Sequence, residues 1–152
     1  MAGVVEKRLR EDPNLKILLL AHNNHIQKTV LSFSGELTAA PMGQHLAHRN
    51  DYHAIGATHL GAAVPEMQYP SPESPLGFSV ELAPADDIQK DSVEQRLVDA
   101  GGMTASCMVL ADDVRGTKRI RSQSTSVETN VNEAFDAIFC VPSSNKDKLV
   151  DL

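Results

Sequence analysis

The stretch Lys16-Ile17-Leu18-Leu19-Leu20-Ala21-His22-Asn23-Asn24-His25 constrains this chain most, because a short apolar run opens into two histidines and two asparagines. Apolar runs that are continuous rather than alternating mark strands buried on both faces of a parallel sheet. In open α/β sheets the ligand crevice lies outside the carboxyl ends of such strands. Ile17 to Leu20 supply the run, so His22, Asn23 and His25 fall where that crevice is expected. Imidazoles placed there trade protons near neutral pH, and carboxamides hold a substrate or fix a tautomer. A structural reading stands beside this one, in which the histidines cap a strand and satisfy loop backbone. A lone histidine would favour it; the whole packet makes a site an equal expectation.

Composition narrows the classes. The length of 152 residues suits one domain. Aromatics are only 4% and Trp is absent, so the core must rest on Leu, Ile, Val, Ala and Met. A net charge of -6 argues against a nucleic-acid or anionic-membrane surface, which would want basic stripes. The one basic cluster, Lys118-Arg119-Ile120-Arg121, has no interleaved aromatics and reads as a solvated strand edge or loop. No apolar run approaches the ~20 residues of a membrane span. Met1 to Arg10 lacks the apolar centre of a secretory signal. Cys107 and Cys140 sit in apolar stretches without Cys-x-x-Cys spacing, which suggests reduced, buried thiols in a cytoplasmic protein.

Along the chain, Ala2 to Glu11 reads as a helix with Val4, Val5 and Leu9 on one face, stopped by Pro13 and Asn14. With Met1 as its first residue it has almost no cap, as if its beginning lay elsewhere. The strand at Lys16–Ala21 follows. Gln27 to Ala40 is small and polar, a long loop able to overhang a pocket. Pro41 to Arg49 suggests a short helix, and Tyr52 to Thr58 a second strand. Val64 to Pro75 holds four of the eight prolines and reads as irregular. Phe78 to Leu82 alternates with period two, as a half-buried strand does. Asp91 to Ala100 is a helix ended by Gly101 and Gly102. Ala105 to Leu110 is an apolar strand, Arg119 to Ser122 a short exposed one, and the second half of Val131–Pro142 a buried one. Helices alternating with apolar strands indicate an α/β sheet.

The chemistry that these residues allow is limited. His22-x-x-His25 and His45-x-x-His48 have a spacing that could seat a metal, but no carboxylate or thiolate joins either pair, so no metal is expected. His45 and His48 read as a solvated face and a packed imidazole; His53 and His59 carry no signal alone. No serine sits in Gly-x-Ser-x-Gly, and Ser32-Phe33-Ser34-Gly35 does not supply that elbow. No glycine run has phosphate-loop spacing. What remains is general acid–base work by histidine on a bound water, helped by Asn dipoles. Its base would commonly be a carboxylate, and Glu36 is the only acid close in sequence.

Ala21-His22-Asn23-Asn24-His25 resembles the Ala-His-Asn-x-His motif of the erythromycin esterase family. Met42-Gly43-Gln44-His45-Leu46 is similar to its x-Gly-Gln-x-Leu helix, and Ile55-Gly56-Ala57-Thr58 with Gly61 to its Ile-Gly-Phe strand and following glycine. Ala134-Phe135-Asp136-Ala137-Ile138 resembles its Ala-Phe-Asp strand. The resemblance implies an α/β fold with a mainly parallel sheet and flanking helices, in a single domain. It implies a hydrolase of carboxylic esters, macrolide lactones above all, without a cofactor. His22 and His25 would be the catalytic residues, polarising an ester carbonyl or protonating the leaving alkoxide. Asn23 and Asn24 would bind substrate, Asn23 also orienting the histidines. Family members are longer, so this chain corresponds to their C-terminal half. Their water-activating Gly-Glu-x-x-His segment has no counterpart here, and a half-fold of this kind is expected to self-associate and to be poorly active alone. The alternative from another class is a non-catalytic fold that binds a small molecule or a partner protein.

Overall fold

The computed structural model describes residues 1–33, 37–69 and 77–144. Helix α1 (Ala2–Glu11) forms where the apolar spacing placed it, and none of its residues is buried. Lys7 and Arg8 pair with Glu11 along its last turns at 3.8 and 3.5 Å.

The segment that follows departs from expectation. Lys16–Ala21 joins no ladder among the described residues, and Leu18 and Leu20 are 83% and 89% exposed. An apolar strand becomes buried only when neighbours cover both its edges and both its faces. Here the segment lines a cavity of about 880 Å³ together with residues of α1, Tyr52–Ala57, Met108 and Phe139.

A three-stranded sheet sits at the centre. β3 (Ile55–His59) runs parallel to β9 (Ala137–Val141), and β6 (Cys107–Leu110) runs antiparallel on the other side of β9. Three hairpins accompany it: β1 (Leu31–Phe33) with β2 (Leu37–Ala39), β4 (Ala63–Gln68) with β5 (Ser79–Pro84), and β7 (Arg119–Ser122) with β8 (Thr125–Glu128). Of the described ladders only β3–β9 is parallel, so the mainly parallel sheet expected from apolar runs is replaced by local antiparallel pairing. Short connections make hairpins, whereas each parallel pair needs a long crossover.

The hairpins correct two further expectations. Gln27–Ala40 contains β1 and β2; its tip and Glu36 lie outside the described residues. Ala63–Gln68 is a strand despite Pro65, which stands opposite Leu82. A two-stranded ladder is all edge, where a residue without an N–H is tolerated. The rest of the proline-rich stretch lies mostly outside the described residues.

Side-chain alternation decides the two faces of the central sheet. Gly56, Thr58, Ile138 and Cys140 point inward, while Ile55, Ala57 and Phe139 are exposed on the other face. The inner face packs against α4 (Val93–Asp99) through Val93 and Leu97, against Ile120 of β7, and against Val131 and Ala134 of α5 (Val131–Ala134). α4 begins at Ser92, whose hydroxyl accepts from Gln95 N–H at 3.0 Å, and ends where Gly102 N–H reaches Leu97 C=O at 3.0 Å. Phe135 is the largest fully buried side chain among the described residues.

β7 was expected to be exposed, and it is buried from Ile120 to Ser122. Arg121 overcomes its charge by spending its guanidinium on backbone carbonyls of His59, Gly61 and Asp86. Lys118 stays exposed, and Arg119 reaches Glu128 at 3.3 Å. Both cysteines are free and stand opposite each other across β6 and β9, Cys140 buried and Cys107 half-buried. Burial, with the neighbouring Cys107, pushes the Cys140 thiol up to about 12.

Candidate active site

The histidine packet is built on α2 (Asn23–Ile26), a single helical turn. His22 is its N-cap: the ring Nδ1 accepts the Asn24 N–H at 3.2 Å. One turn of helix is unstable alone, so its position depends on tertiary contacts. Asn23 supplies two of them, accepting from Ala57 N–H at 2.9 Å and donating to Ala57 C=O at 2.8 Å. Its side chain thus completes the free edge of β3 in the way a neighbouring strand would. Tyr52 donates its hydroxyl to Ile26 C=O at 2.5 Å.

Helix α3 (Met42–Leu46) clamps α2 from the other side. A Cβ built at Gly43 would stand 1.9 Å from the Ile26 carbonyl oxygen, so only glycine permits this approach. Asp136 closes the arrangement behind α2. Its carboxylate accepts from Lys28 Nζ at 2.6 Å and from Ala54 N–H at 2.8 Å, tying the exit of α2 to the entrance of β3. Partial burial disfavours the ionised carboxyl, but Lys28 and the Ala54 N–H outweigh it and hold its pKa below the usual range. The Gly-Gln and Ala-Phe-Asp motifs are therefore parts of the platform that carries the histidines.

The site's other wall was not foreseen. The β7–β8 turn brings the Ser122 hydroxyl to 3.1 Å from His22 Nε2. The turn is held from several directions: His59 Nε2 bonds Gln123 C=O at 2.9 Å, and Ser124 N–H donates to Glu66 Oε1 at 2.8 Å. Ser126 N–H donates to Asp86 Oδ2, also at 2.8 Å. Gln123 adopts φ 58°, a left-handed conformation that a non-glycine residue keeps only when its surroundings impose it. Beneath the turn, fully buried Glu94 accepts from the Thr58 hydroxyl and from Arg121 N–H. Ser122 lies 100 residues from His22, and nothing local in the sequence marks the pairing.

The ring centroids of His22 and His25 are 6.4 Å apart, with the planes at 72°. His22 is half-buried and His25 is exposed. Burial holds the His22 pKa below its usual value, His25 adds to that, and Gln123 and Glu66 oppose it. His25 faces a cleft of about 550 Å³ between α1 and α3, shared with His45 and Glu6. Asn24 is half-buried, its Oδ1 without a hydrogen-bond partner among the described residues. His45 and His48 lie on and after α3, where His48 Nδ1 bonds His45 C=O at 2.7 Å. Among the described residues no three His, Cys, Asp or Glu side chains form a group able to hold a metal ion. No helix there is long and apolar enough to cross a membrane.

Two imidazoles at this separation, one with its pKa held below the usual value, can divide proton transfer or hydrogen-bond donation around one small reacting group. Comparison with known proteins places the chain. The sequence model of the erythromycin esterase family matches residues 1–144. The chain belongs to the erythromycin esterase family. It is 62% identical over 152 residues to erythromycin esterase type I of Escherichia coli, covering all of this chain and 37% of that protein. It is 30% identical over 141 residues to the type II enzyme of Escherichia coli, covering 89% of this chain and 33% of that protein. It thus spans about a third of the length of the curated relatives that it matches.

Among solved structures, a histidine-to-asparagine mutant of the erythromycin esterase EreC in its open conformation superimposes with a TM-score of 0.91. That match is 64% identical and covers 99% of this chain and 38% of the other. The erythromycin-esterase-like fold is thereby shown. A succinoglycan biosynthesis protein matches at TM-score 0.53 and 22% identity, over 80% of this chain and 31% of the other, and shares the fold alone.

Proposed function

We propose that this chain carries the histidine wall of a site that hydrolyses carboxylic esters, macrolide lactones in particular, by attack of water. The observation that carries the reading is the His22–His25 pair, presented on a turn that Asn23, Gly43 and Asp136 fix against the sheet in a chain 62% identical to an erythromycin esterase. His22 and His25 assist the attack, one stabilising charge on the ester oxygen and the other moving a proton. Asn24, half-buried on the same turn, contacts substrate. Asn23 supports them by orienting the turn, since both ends of its amide are occupied by Ala57. No cofactor enters this scheme, and the setting is the cytoplasm.

The open apolar face supports a second property. Leu18, Leu20, Met108 and Phe139 stay exposed around one cavity, and apolar area of this kind seeks cover. The chain therefore associates with another copy and turns over esters poorly by itself. The experiment that tests the function replaces the matched segment of the Escherichia coli type I esterase with this chain and incubates the chimera with erythromycin. Mass spectrometry of the products should show addition of one water and opening of the lactone. A folded chimera that leaves both erythromycin and simple p-nitrophenyl esters intact would refute the reading.

A further inference from the structure

The Ser122–His22 contact has the outward form of a nucleophile and its base, with the hydroxyl 3.1 Å from Nε2. The second ring nitrogen decides otherwise. A backbone N–H can only donate, so the Asn24 N–H at 3.2 Å from Nδ1 requires an unprotonated Nδ1. A neutral imidazole carries one proton, which then resides on Nε2, the nitrogen that faces Ser122. The Nε2–H donates and the serine oxygen accepts. A serine activated as a nucleophile needs the reverse, with its own proton directed at a bare Nε2.

We propose that Ser122 is a positioning residue, which holds His22 as the neutral Nε2–H tautomer and is not itself a nucleophile. Three features of the geometry support this. Ser122 is buried on β7 and registered opposite Thr125, so the hydroxyl is presented by a fixed strand. The adjoining Arg121 N–H is anchored to the buried Glu94 carboxylate at 3.0 Å. Gln123, next in the chain, is held in a left-handed conformation that sets the turn. Adding a proton at Nδ1 would set two N–H groups against each other and break the cap. That agrees with the depressed basicity that burial and His25 already give the ring.

The consequence for catalysis rests on the reading of His22 as a participant in hydrolysis. A ring held in this state cannot take a proton from water at Nε2, and its one N–H serves charge developing on an ester oxygen only by turning to it from the Ser122 oxygen. The exposed His25 is then the imidazole free to move a proton.

Long-range proton–nitrogen NMR of the intact ¹⁵N-histidine-labelled chain at neutral pH tests the assignment. The expected spectrum has Nδ1 of His22 unprotonated and Nε2 protonated. In Ser122→Ala the Nε2–H should exchange with water about tenfold faster, as loss of one hydrogen bond implies, and Ser122→Thr should restore slow exchange. A dominant Nδ1–H tautomer in the wild-type chain would overturn the proposal, as would covalent labelling of Ser122 by a fluorophosphonate. Unchanged exchange in a folded Ser122→Ala variant would overturn it too. The wild-type spectrum and the labelling decide the matter even where Ser122→Ala does not fold. If the tautomer is as expected while chimeras keep full esterase activity without His22, the catalytic reading fails and the positioning stands.

Discussion

Gly43→Ala sets two opposed effects against each other, and the structure decides which wins. On helix propensity alone alanine should stabilise α3 by about 1 kcal/mol. The new Cβ, however, would stand 1.9 Å from the Ile26 carbonyl oxygen, 2.3 Å from its carbon and 2.5 Å from the Gln27 carbonyl oxygen. A carbon and a carbonyl oxygen settle no closer than roughly 3.3 Å, so α2 and α3 must part by more than about 1 Å. All three obstructing atoms are backbone, and no rotamer can relieve them. Overpacking of this kind costs about 1–3 kcal/mol, and the upper end applies when backbone must move. The net expectation is a loss of about 2 kcal/mol, or a fall in melting temperature of about 4–8 °C for a domain of this size. Urea denaturation followed by circular dichroism measures it. An unchanged or raised midpoint would show that the α2–α3 contact does not hold the histidine platform as described.

Three further outcomes follow from the same geometry. Asn23→Ala leaves Ala57 N–H and C=O without their partners and should cost about 2–3 kcal/mol of stability in denaturant titration. The pKa of His22 is lowered in the folded chain, so the unfolded chain binds the proton first; this stability term is complete above pH 6.5 and declines as pH falls below it. Denaturation curves for wild-type and His22→Ala across that range should differ in slope, and identical slopes would contradict the burial of the ring. Light scattering should find the chain as a dimer or larger species, and Leu18→Lys with Leu20→Lys should return it to a monomer if the open apolar face is the contact.

How much could be read from the sequence depended on the range of each interaction. α1 and α4 were legible because apolar spacing and terminal residues are local signals, and β6 and β9 because their apolar runs are short and bounded. Lys16–Ala21 carried the same signal, yet burial needs neighbours, and the described chain supplies none for its outer side. β4 was hidden by Pro65, whose cost vanishes in a two-stranded ladder. Arg121 was read as solvated because a charged residue usually is; its burial depends on carbonyls of His59, Gly61 and Asp86 that no local pattern announces. The two histidines were legible as neighbours, but they sit on a helical turn and not at the end of a strand. Ser122, Gln123 and Glu66 were not legible, since a contact across 100 residues leaves no trace in spacing.

The central claim is that His22 acts in the chemistry and not only in the fold, and one paired measurement separates these. In the chimera with the type I esterase, His22→Ala should cost about 1 kcal/mol of stability, the usual worth of an N-cap. Its kcat for erythromycin, counted per folded molecule, should fall at least about 100-fold, within the range of a positioned proton-handling or hydrogen-bonding side chain. A His22→Ala chimera with the same stability loss and an undiminished kcat would show that His22 is a helix cap alone.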